Sequence, residues 1–462
     1  MNDDTIPLAG GPVPQDSIAI HVVGAGDRET VIASLGDAAR TFAAALNAGP
    51  PDTLLLPDQS GRIASVVVAA AKANDPFGPL SLGAIARTLP RGIYHLADTP
   101  CDPVLAALGW TMGAYRFTRY RKAKGKRAVL VLPDAGVLAQ SQRLARGITW
   151  TRDLINTPAN DMGPAEIEAA ARQLASRHNA KISVIVGDDL LDRGFPLIHA
   201  VGRASPRAPR LIDLRWGDAD APKVTLVGKG VAFDTGGLDL KPAAGMLLMK
   251  KDMAGAANVL GLALMLMDAG APISLRVLIP AVENVVSGSA FRPGDVLASR
   301  KGLSVEVANT DAEGRLILAD ALTLADEEAP DLLIDMATLT GAARIALGPD
   351  LPPYYTRDDS FAATFDASAA ATADPAWRLP LWAPYDTWVD GDISDVNNAP
   401  GKPFAGSIAA ALFLGRFVKA AKTWVHFDVF GWAPETRPHG PKGGEAQCIR
   451  ALDALIRARF IR

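Results

Sequence analysis

Between Val227 and Leu316 the chain gathers acids and cations among glycines and strand-like runs. The segment Asn309-Thr310-Asp311-Ala312-Glu313-Gly314-Arg315-Leu316 sets two carboxylates and an arginine at alternate positions. Upstream, Val227-Gly228-Lys229-Gly230-Val231-Ala232-Phe233-Asp234-Thr235-Gly236-Gly237 leads to Lys241 and then to Lys250-Lys251-Asp252. Charges are not buried in such company unless something of opposite sign balances them. Asp234, Asp252, Asp311 and Glu313 supply roughly four negative charges, which two divalent cations neutralise. With no histidine nearby, this oxygen-rich set suits Mn2+, Mg2+ or Zn2+. Asp311 and Glu313 stand two apart, so an extended loop turns both to one side. Two ions about 4 Å apart activate a shared water and polarise an electrophilic oxygen, so metal-assisted hydrolysis is the reaction class. Lys241 and Arg315 remain as cations able to steady an oxyanion or hold a small anion.

Taken singly, each residue has a duller explanation. An Asp-x-Glu before a helix is ordinarily a capping arrangement. Isolated lysines are mostly solvated, and Arg315 alone could be a surface ion-pair partner of little worth. Only the combination carries a function. Gly228-x-Gly230 lacks the third glycine and the acid-tipped second strand of a dinucleotide site. The six histidines show no ligand spacing, and His426 reads as a satisfied core histidine. Arg116 to Arg127 interleaves basic residues with Phe117 and Tyr120; a solvated face is the plainer reading, nucleic-acid contact the other.

The elements that must position these groups follow from periodicity. Ile18–Val23, Ile63–Val68 and Ala128–Leu132 read as strands, with helical spacing over Glu29–Leu46 and Val104–Ala114. A helix from about Gln140 to Ile155 stops at Asn156-Thr157-Pro158, where proline forbids continuation. Beyond it, Lys181–Val186, Val224–Val227, Ser274–Ile279, Val305–Val307, Leu332–Asp335 and Trp424–Val429 look like strands. Helical stretches near Pro164–Arg177, Gly255–Ala269, Glu313–Glu327 and Gly406–Ala421 separate them. Gly202 to Arg210 and Phe361 to Asp374 read as surface loops. Short buried strands alternating with helices imply a mostly parallel sheet covered on both faces. Ligands bind beyond the carboxyl ends of such strands; Lys229 follows one strand directly and Asp311 follows another after a short loop.

The expected fold is therefore α/β with two domains. A small N-terminal α/β domain spans 1–136, a connecting helix 137–158, and a larger C-terminal catalytic domain 159–462 is built around a mostly parallel sheet flanked by helices. A chain of 462 residues suits two domains. Net charge of −3 gives no push toward nucleic acid or anionic membrane. The longest apolar run, Ala254 to Met267, falls short of the roughly 20 residues that a membrane span needs. Two cysteines, Cys101 and Cys448, make no disulfide framework and fit a reducing compartment. Met1-Asn2-Asp3-Asp4 is acidic and opens no apolar core, so no secretory signal is expected and the cytoplasm is the expected location.

The octapeptide, together with Lys229–Asp252, resembles the leucyl aminopeptidase (cytosol aminopeptidase, M17) family. The likeness runs through Arg152-Asp153-Leu154-Ile155-Asn156-Thr157-Pro158 and Ala337-Thr338-Leu339-Thr340-Gly341-Ala342, and more loosely to His426-Phe427-Asp428. The resemblance implies that Asp234, Asp252, Asp311 and Glu313 hold two metals, with Asp234 and Glu313 bridging. Asp311 completes one site, and Asp252 with Lys229 the other. Lys229 then ligates as a neutral amine, which requires nearby cations to depress its pKa. Lys241 is implied to polarise the scissile carbonyl, and Arg315 to hold a bicarbonate that serves as general base. The substrate is a peptide whose free α-amine binds the lysine-ligated metal. Backbone groups around Leu339 and Gly341 align it, Asn309 joins the substrate-binding set, and Met249 and Thr338 match the pocket for the first side chain.

The family implies a homohexamer of two facing trimers, and a broad, apolar preference is expected. Two departures from the family occur, the first at the pocket entrance or only a packing contact, the second in a loop that borders that pocket in the family. Leu247-Leu248 replace polar residues, and Lys442-Gly443-Gly444-Glu445-Ala446-Gln447-Cys448-Ile449-Arg450 replaces the usual Thr-Gly-containing approach to the last helix. Two rival readings are a DNA-binding or regulatory protein on the same scaffold, and another two-metal hydrolase such as a phosphoesterase. The first would want a basic groove; the second would want histidine ligands or phosphate-gripping backbone nests.

Overall fold

A computed structural model of the chain describes residues 6–24, 27–45, 53–72, 74–98, 101–122 and 127–460. It divides into two compact units: Met1–Thr149 with Glu435–Lys442, and Trp150–Pro434 with Gly443–Arg462.

The first unit is a six-stranded sheet of β1 (Leu8–Gly10), β2 (Ile18–Val23), β3 (Thr53–Pro57), β4 (Ile63–Ala69), β5 (Ile93–Asp98) and β6 (Val129–Leu132). Their order is β1-β6-β5-β2-β4-β3, parallel except for the β3–β4 pair. Ile20, Val22, Val66, Val68 and Leu130 turn into one core with Trp110 of the helix Pro103–Ala114. That helix starts where Asp102 Oδ1 accepts from Val104 N and Leu105 N at 2.8 and 3.0 Å, with Pro103 at its first position. The single helix expected over Glu29–Leu46 is two, Arg28–Ser34 and Asp37–Ala45, because Gly36 turns the chain at φ +96°. Leu46 lies outside the described residues.

The helix Ala135–Asn156 begins where Asp134 Oδ1 accepts from Gly136 N and Val137 N. It ends two residues before Pro158, as the ring of that residue requires.

In the second unit the strands are β7 (Lys181–Val186), β8 (Arg210–Trp216), β9 (Lys223–Gly228), β10 (Gly230–Asp234) and β11 (Ser274–Asn284). They are followed by β12 (Val296–Ala298), β13 (Ser304–Glu306), β14 (Leu332–Ala337), β15 (Pro353–Tyr355), β16 (Trp377–Arg378), β17 (Val396–Asn397) and β18 (Trp424–Asp428). The main sheet runs β16-β15-β18-β14-β9-β11-β8-β7, with β10 continuing beside β11. Its centre, β18-β14-β9-β11, is parallel, and antiparallel pairs lie toward both edges. This is the mostly parallel sheet expected of the C-terminal half. The helix Ala254–Asp268 is apolar all round and buried through Met267, as a helix enclosed on every side must be.

Three expectations need correction. Val305 does not join the main sheet; β13 belongs to a separate three-stranded sheet, β12-β13-β17. The loop expected over Phe361 to Asp374 is mostly the helix Asp359–Ala371. Asp358 caps it, and Phe361, Ala362, Phe365 and Ala369 form a buried stripe at helical spacing that its small polar residues masked. The helix expected over Gly406–Ala421 stops at Gly415, and the Asp326 carboxylate instead collects the N–H groups of Lys419, Ala420 and Ala421.

A second buried acid on the helix Glu313–Asp326 holds the scaffold around the site. Asp320 accepts from Leu197 N (2.8 Å), Ile198 N (3.3 Å) and Arg300 N (2.9 Å). Asp320→Ala would orphan three buried donors and should lower stability by about 3 kcal/mol or more. A denaturation midpoint unchanged from wild type would contradict this.

Candidate metal centre

The parallel strands of the second unit deliver the charged residues to one end of the sheet. β9 leads directly into Lys229, and β10 ends on Asp234. Gly236 and Gly237, at φ +89° and +67°, then reverse the chain so that Lys241 N donates to Thr235 O at 2.9 Å. A Cβ on Gly237 would lie 2.9 Å from Thr310 Oγ1, so the turn is closed to other side chains. Asp252 sits in a short turn, Met249–Met253, before the helix Ala254–Asp268. Asp311 lies in the loop after β13, and Glu313 opens the helix Glu313–Asp326. Thr310 pins that loop: its N donates to Asp239 Oδ2 at 2.7 Å and its Oγ1 to Gly236 O at 2.7 Å.

One carboxylate oxygen from each of Asp234, Asp252 and Glu313 comes within 4.8 Å of the others, and all three residues are buried. Lys229 Nζ stands among them, 2.9 Å from Glu313 Oε1 and from Asp252 Oδ1, and it donates to Thr338 O at 3.0 Å. Lys241 Nζ is 2.8 Å from Asp234 Oδ2 and also contacts Asp311. Arg315 is buried, with Nη1 donating to Asn398 O at 2.5 Å and Nε without a hydrogen-bond partner. A cleft of about 500 Å3 is walled by Lys229, Asp234, Lys241, Asp252, Asp311 and Arg315. Met249, Asn309, Thr338, Leu339 and Gly341 line the same cleft. Glu313, 1% exposed, lies behind that wall.

The acids outweigh the cations here. Burial opposes charge on Lys229, yet Asp252, Glu313 and Asp234 together hold its ammonium above the ordinary lysine range. Lys241 is raised the same way, against burial, chiefly by Asp234. Burial and then the Asp234 charge push Glu313 well above the usual carboxylate range, with Lys229 opposing. Asp252 is raised by burial despite Lys229, and Asp311 is pushed up to about 6 by burial and Asp234. Burial lowers Arg315 to about 10 and the neighbouring Lys251 to about 8.

Two oxygens test whether metal ions fit. Among the described residues Asp252 Oδ2 and Glu313 Oε1 have no hydrogen-bond donor, although both stand 2.9 Å from Lys229 Nζ, so that ammonium is not aligned to satisfy them. Buried carboxylate oxygens lacking an aligned donor are costly unless a cation takes that place. The donor set fits divalent ions.

Asn284 and Asn398 carry no signal in the motifs, while Asp428 and Gly314 lie within them without their positioning roles being visible. Asn284 Nδ2 donates to Asp234 Oδ1 (2.9 Å) and Thr310 O (3.1 Å). Asn398 Oδ1 accepts from Ala308 N and Asn309 N, tying the acidic loop to the Arg315 anchor. Asp428 Oδ1 accepts from Leu339 N and Thr340 N, fixing the strand end that faces the cleft. Gly314 makes room for the lysine: a Cβ there would fall 2.5 Å from Lys229 Cε and 2.7 Å from its Nζ. Gly314→Ala should therefore fold but displace Lys229, weakening metal uptake by roughly tenfold or more. Unchanged metal affinity by calorimetry would refute that reading.

A buried carboxylate cluster whose donor set fits divalent ions, at the carboxyl ends of parallel strands, suits a metal-dependent hydrolase of α/β architecture. The catalytic-domain model of the cytosol aminopeptidase family matches residues 149–452, and the M17 aminopeptidase N-terminal domain model matches residues 36–133. A probable cytosol aminopeptidase of Roseiflexus castenholzii is 41% identical over 382 residues, covering 78% of each chain. The crystal structure of a cytosol aminopeptidase from Coxiella burnetii superposes with a TM-score of 0.93 at 41% identity, covering 99% of this chain and 100% of that one. The bottromycin maturation enzyme BotP in complex with Mn superposes at a TM-score of 0.84 and 31% identity, covering 96% and 100%. The chain belongs to the cytosol aminopeptidase family. It is a metal-dependent aminopeptidase, a hydrolase acting on peptides.

Proposed function

We propose that the chain removes N-terminal residues from peptides at a two-ion centre held by Lys229, Asp234, Asp252, Asp311 and Glu313. The convergence of three buried acids, two of which keep an oxygen without an aligned donor among the described residues, carries this reading. Asp234 and Glu313 would be the ligands common to both ions; Asp311 would help to hold one, and Asp252 with a deprotonated Lys229 the other. Two bound ions would acidify a shared water and draw electrons from the scissile carbonyl.

The chain's own groups do the rest. Lys241, braced between Asp234 and Asp311, points its ammonium at the carbonyl oxygen that gains charge. Arg315, anchored on Asn398, lines the cleft and would hold there a bicarbonate that accepts the proton of the attacking water. The backbone from Leu339 to Gly341, steadied by Asp428, aligns the peptide beside Asn309. The first side chain lies along Met249 and Thr338. The ions are manganese or zinc, with magnesium the third candidate; the BotP relative bound to Mn favours manganese.

The deciding experiment loads the protein with Mn2+, Zn2+ or Mg2+ in turn and measures metal content and release of leucine from a leucyl peptide and its N-acetylated form. Two ions per chain and cleavage of the free-amine peptide alone are expected. One ion, or cleavage of the acetylated peptide, would count against the centre.

Metal uptake should also depend on pH with a definite sign. Asp311 keeps its proton up to about 6 in the metal-free chain, and the acids hold Lys229 protonated. Binding must expel these protons, so affinity should rise as pH climbs through 6 toward 8. Calorimetry in buffers of different ionisation enthalpy should register the release; none would overturn it.

A homohexamer is the proposed assembly, as the resemblance to the family implies. Sedimentation at micromolar concentration tests it. The cytoplasm is the proposed location, supported by the relatives named as cytosol aminopeptidases. None of the described helices is long and apolar enough to cross a membrane. Nucleic acid is not proposed as a partner, since the net charge of −3 offers no pull toward it.

A further inference from the structure

Two cations in the cleft play no part in the hydrolysis derived above. Lys251 is 6% exposed, yet among the described residues its Nζ has neither a hydrogen bond nor an ion pair. It lies over the ring of Phe430, 4.6 Å from the centroid. Arg344, on the helix Gly341–Leu347, sets its guanidinium over the same ring at 5.4 Å, again with no acid at ion-pair distance. Both line the cleft beside Met249 and Thr338. Lys250 differs, because its Nζ donates to Asn156 O at 2.7 Å.

An aromatic ring is a weak counter-ion. A cation–π contact contributes about 0.5–2 kcal/mol, less than burying an unpaired ammonium costs. Two cations sharing one ring also repel each other. The carboxylates nearby are engaged elsewhere: Asp252 faces Lys229 and Thr338, and Asp428 accepts from Leu339 N, Thr340 N and Thr340 Oγ1. The backbone that carries the ring is fixed as well. Gln447 Oε1 accepts from Phe430 N at 3.0 Å and Gly431 N at 2.8 Å. A Cβ on Gly431, whose φ is +67°, would fall 2.3 Å from Ala254 Cβ. Gln447 belongs to the segment that departs from the family before the last helix. With those acids engaged elsewhere, the positive charge at this end of the cleft is offered to whatever enters it.

We propose that Lys251 and Arg344 make the pocket for the first side chain a carboxylate receptor, so that the enzyme prefers peptides beginning with glutamate or aspartate. This replaces the apolar preference expected from the family resemblance. It rests on the proposed pose, in which that side chain runs along Met249 and Thr338 toward Phe430. The ring and Met249 pack the methylene stem, and the two cations meet the acid at its tip.

The test compares kcat/KM of the metal-loaded enzyme for the aminomethylcoumarin amides of glutamate, glutamine, aspartate, asparagine and leucine. Glutamine matches glutamate in shape without its charge, so their ratio isolates the carboxylate. Glutamate should exceed glutamine by about tenfold or more at low salt, and added salt should shrink the margin. Lys251→Met and Arg344→Gln should each cut the ratio severalfold, and together bring it near one. The ratio is read within each variant, so a change in absolute turnover does not affect it. Should Lys251→Met not fold, Arg344→Gln, on an exposed position, carries the test alone. A wild-type ratio at or below one, with leucine still released, overturns the proposal and leaves the peptidase reading intact. A high ratio that neither substitution moves removes these residues from the assignment. Failure on all five substrates overturns both readings.

Discussion

Glu313→Ala should eliminate hydrolysis of an aminoacyl amide, lowering kcat/KM by about a thousandfold or more, while the chain still folds. The loss follows from position. Glu313 is buried, within 4.8 Å of Asp234 and Asp252 through their carboxylate oxygens, and its Oε1 has no aligned donor. A group in that setting gives little to the metal-free fold, because burial and its acidic neighbours already disfavour its charge. The ion centre, by contrast, loses one of its two shared ligands. Metal content should fall below two per chain, while the thermal midpoint of the metal-free variant should equal or exceed that of wild type. Glu313→Gln, which keeps the volume and removes the charge, should reproduce the loss of activity. Asp234→Ala should be as damaging to turnover but less kind to folding, since Asn284 Nδ2 and Gly236 N would lose their acceptor. Near-normal turnover by Glu313→Ala would exclude it from the reaction.

How far the sequence disclosed this arrangement depends on the kind of residue. Lys229, Asp234, Asp252, Asp311 and Glu313 are legible because their motif is local and its charges have no cheap burial. The structure brings them within one cluster and its cleft. Asn284 and Asn398 were not legible. One reaches the site from the end of the neighbouring strand β11 and the other from a distant loop, and an asparagine bonded to backbone and carboxylate looks like any other in sequence. Gly314 was visible only as part of the motif; its reason, the Lys229 side chain packed against its Cα, is tertiary.

The same division holds for the fold. Strands of β-branched residues, such as Ile63–Ala69, were read correctly. β1, only three residues long, and β8, whose apolar residues alternate with charges over Arg210–Trp216, carry no comparable pattern. The pair Lys251 and Arg344 shows the limit from the other side. Their types are plain, but only folding reveals that neither has an acid at ion-pair distance among the described residues and that both face one ring.

Lys241→Ala should lower kcat by roughly 100- to 1000-fold while moving KM little, since one preorganised donor to a developing oxyanion is worth that much. The ammonium lines the cleft and is braced by Asp234 Oδ2 at 2.8 Å and by Asp311, so it can turn toward a substrate oxygen with little reorganisation. Arginine should restore little, because its planar fork cannot occupy the space of a compact ammonium between two carboxylates. One competing cause must be separated. Without Lys241, Asp311 loses its principal counter-charge, its carboxyl pKa rises further above the ordinary carboxylate range, and metal uptake at acid pH weakens. Turnover should therefore be compared at pH 8 with saturating metal, where Asp311 is ionised in both proteins and ion content is equal. A deficit in kcat that persists there belongs to the oxyanion. A deficit that vanishes with added metal, or one confined to KM, assigns Lys241 to holding Asp311 rather than to the reacting carbonyl.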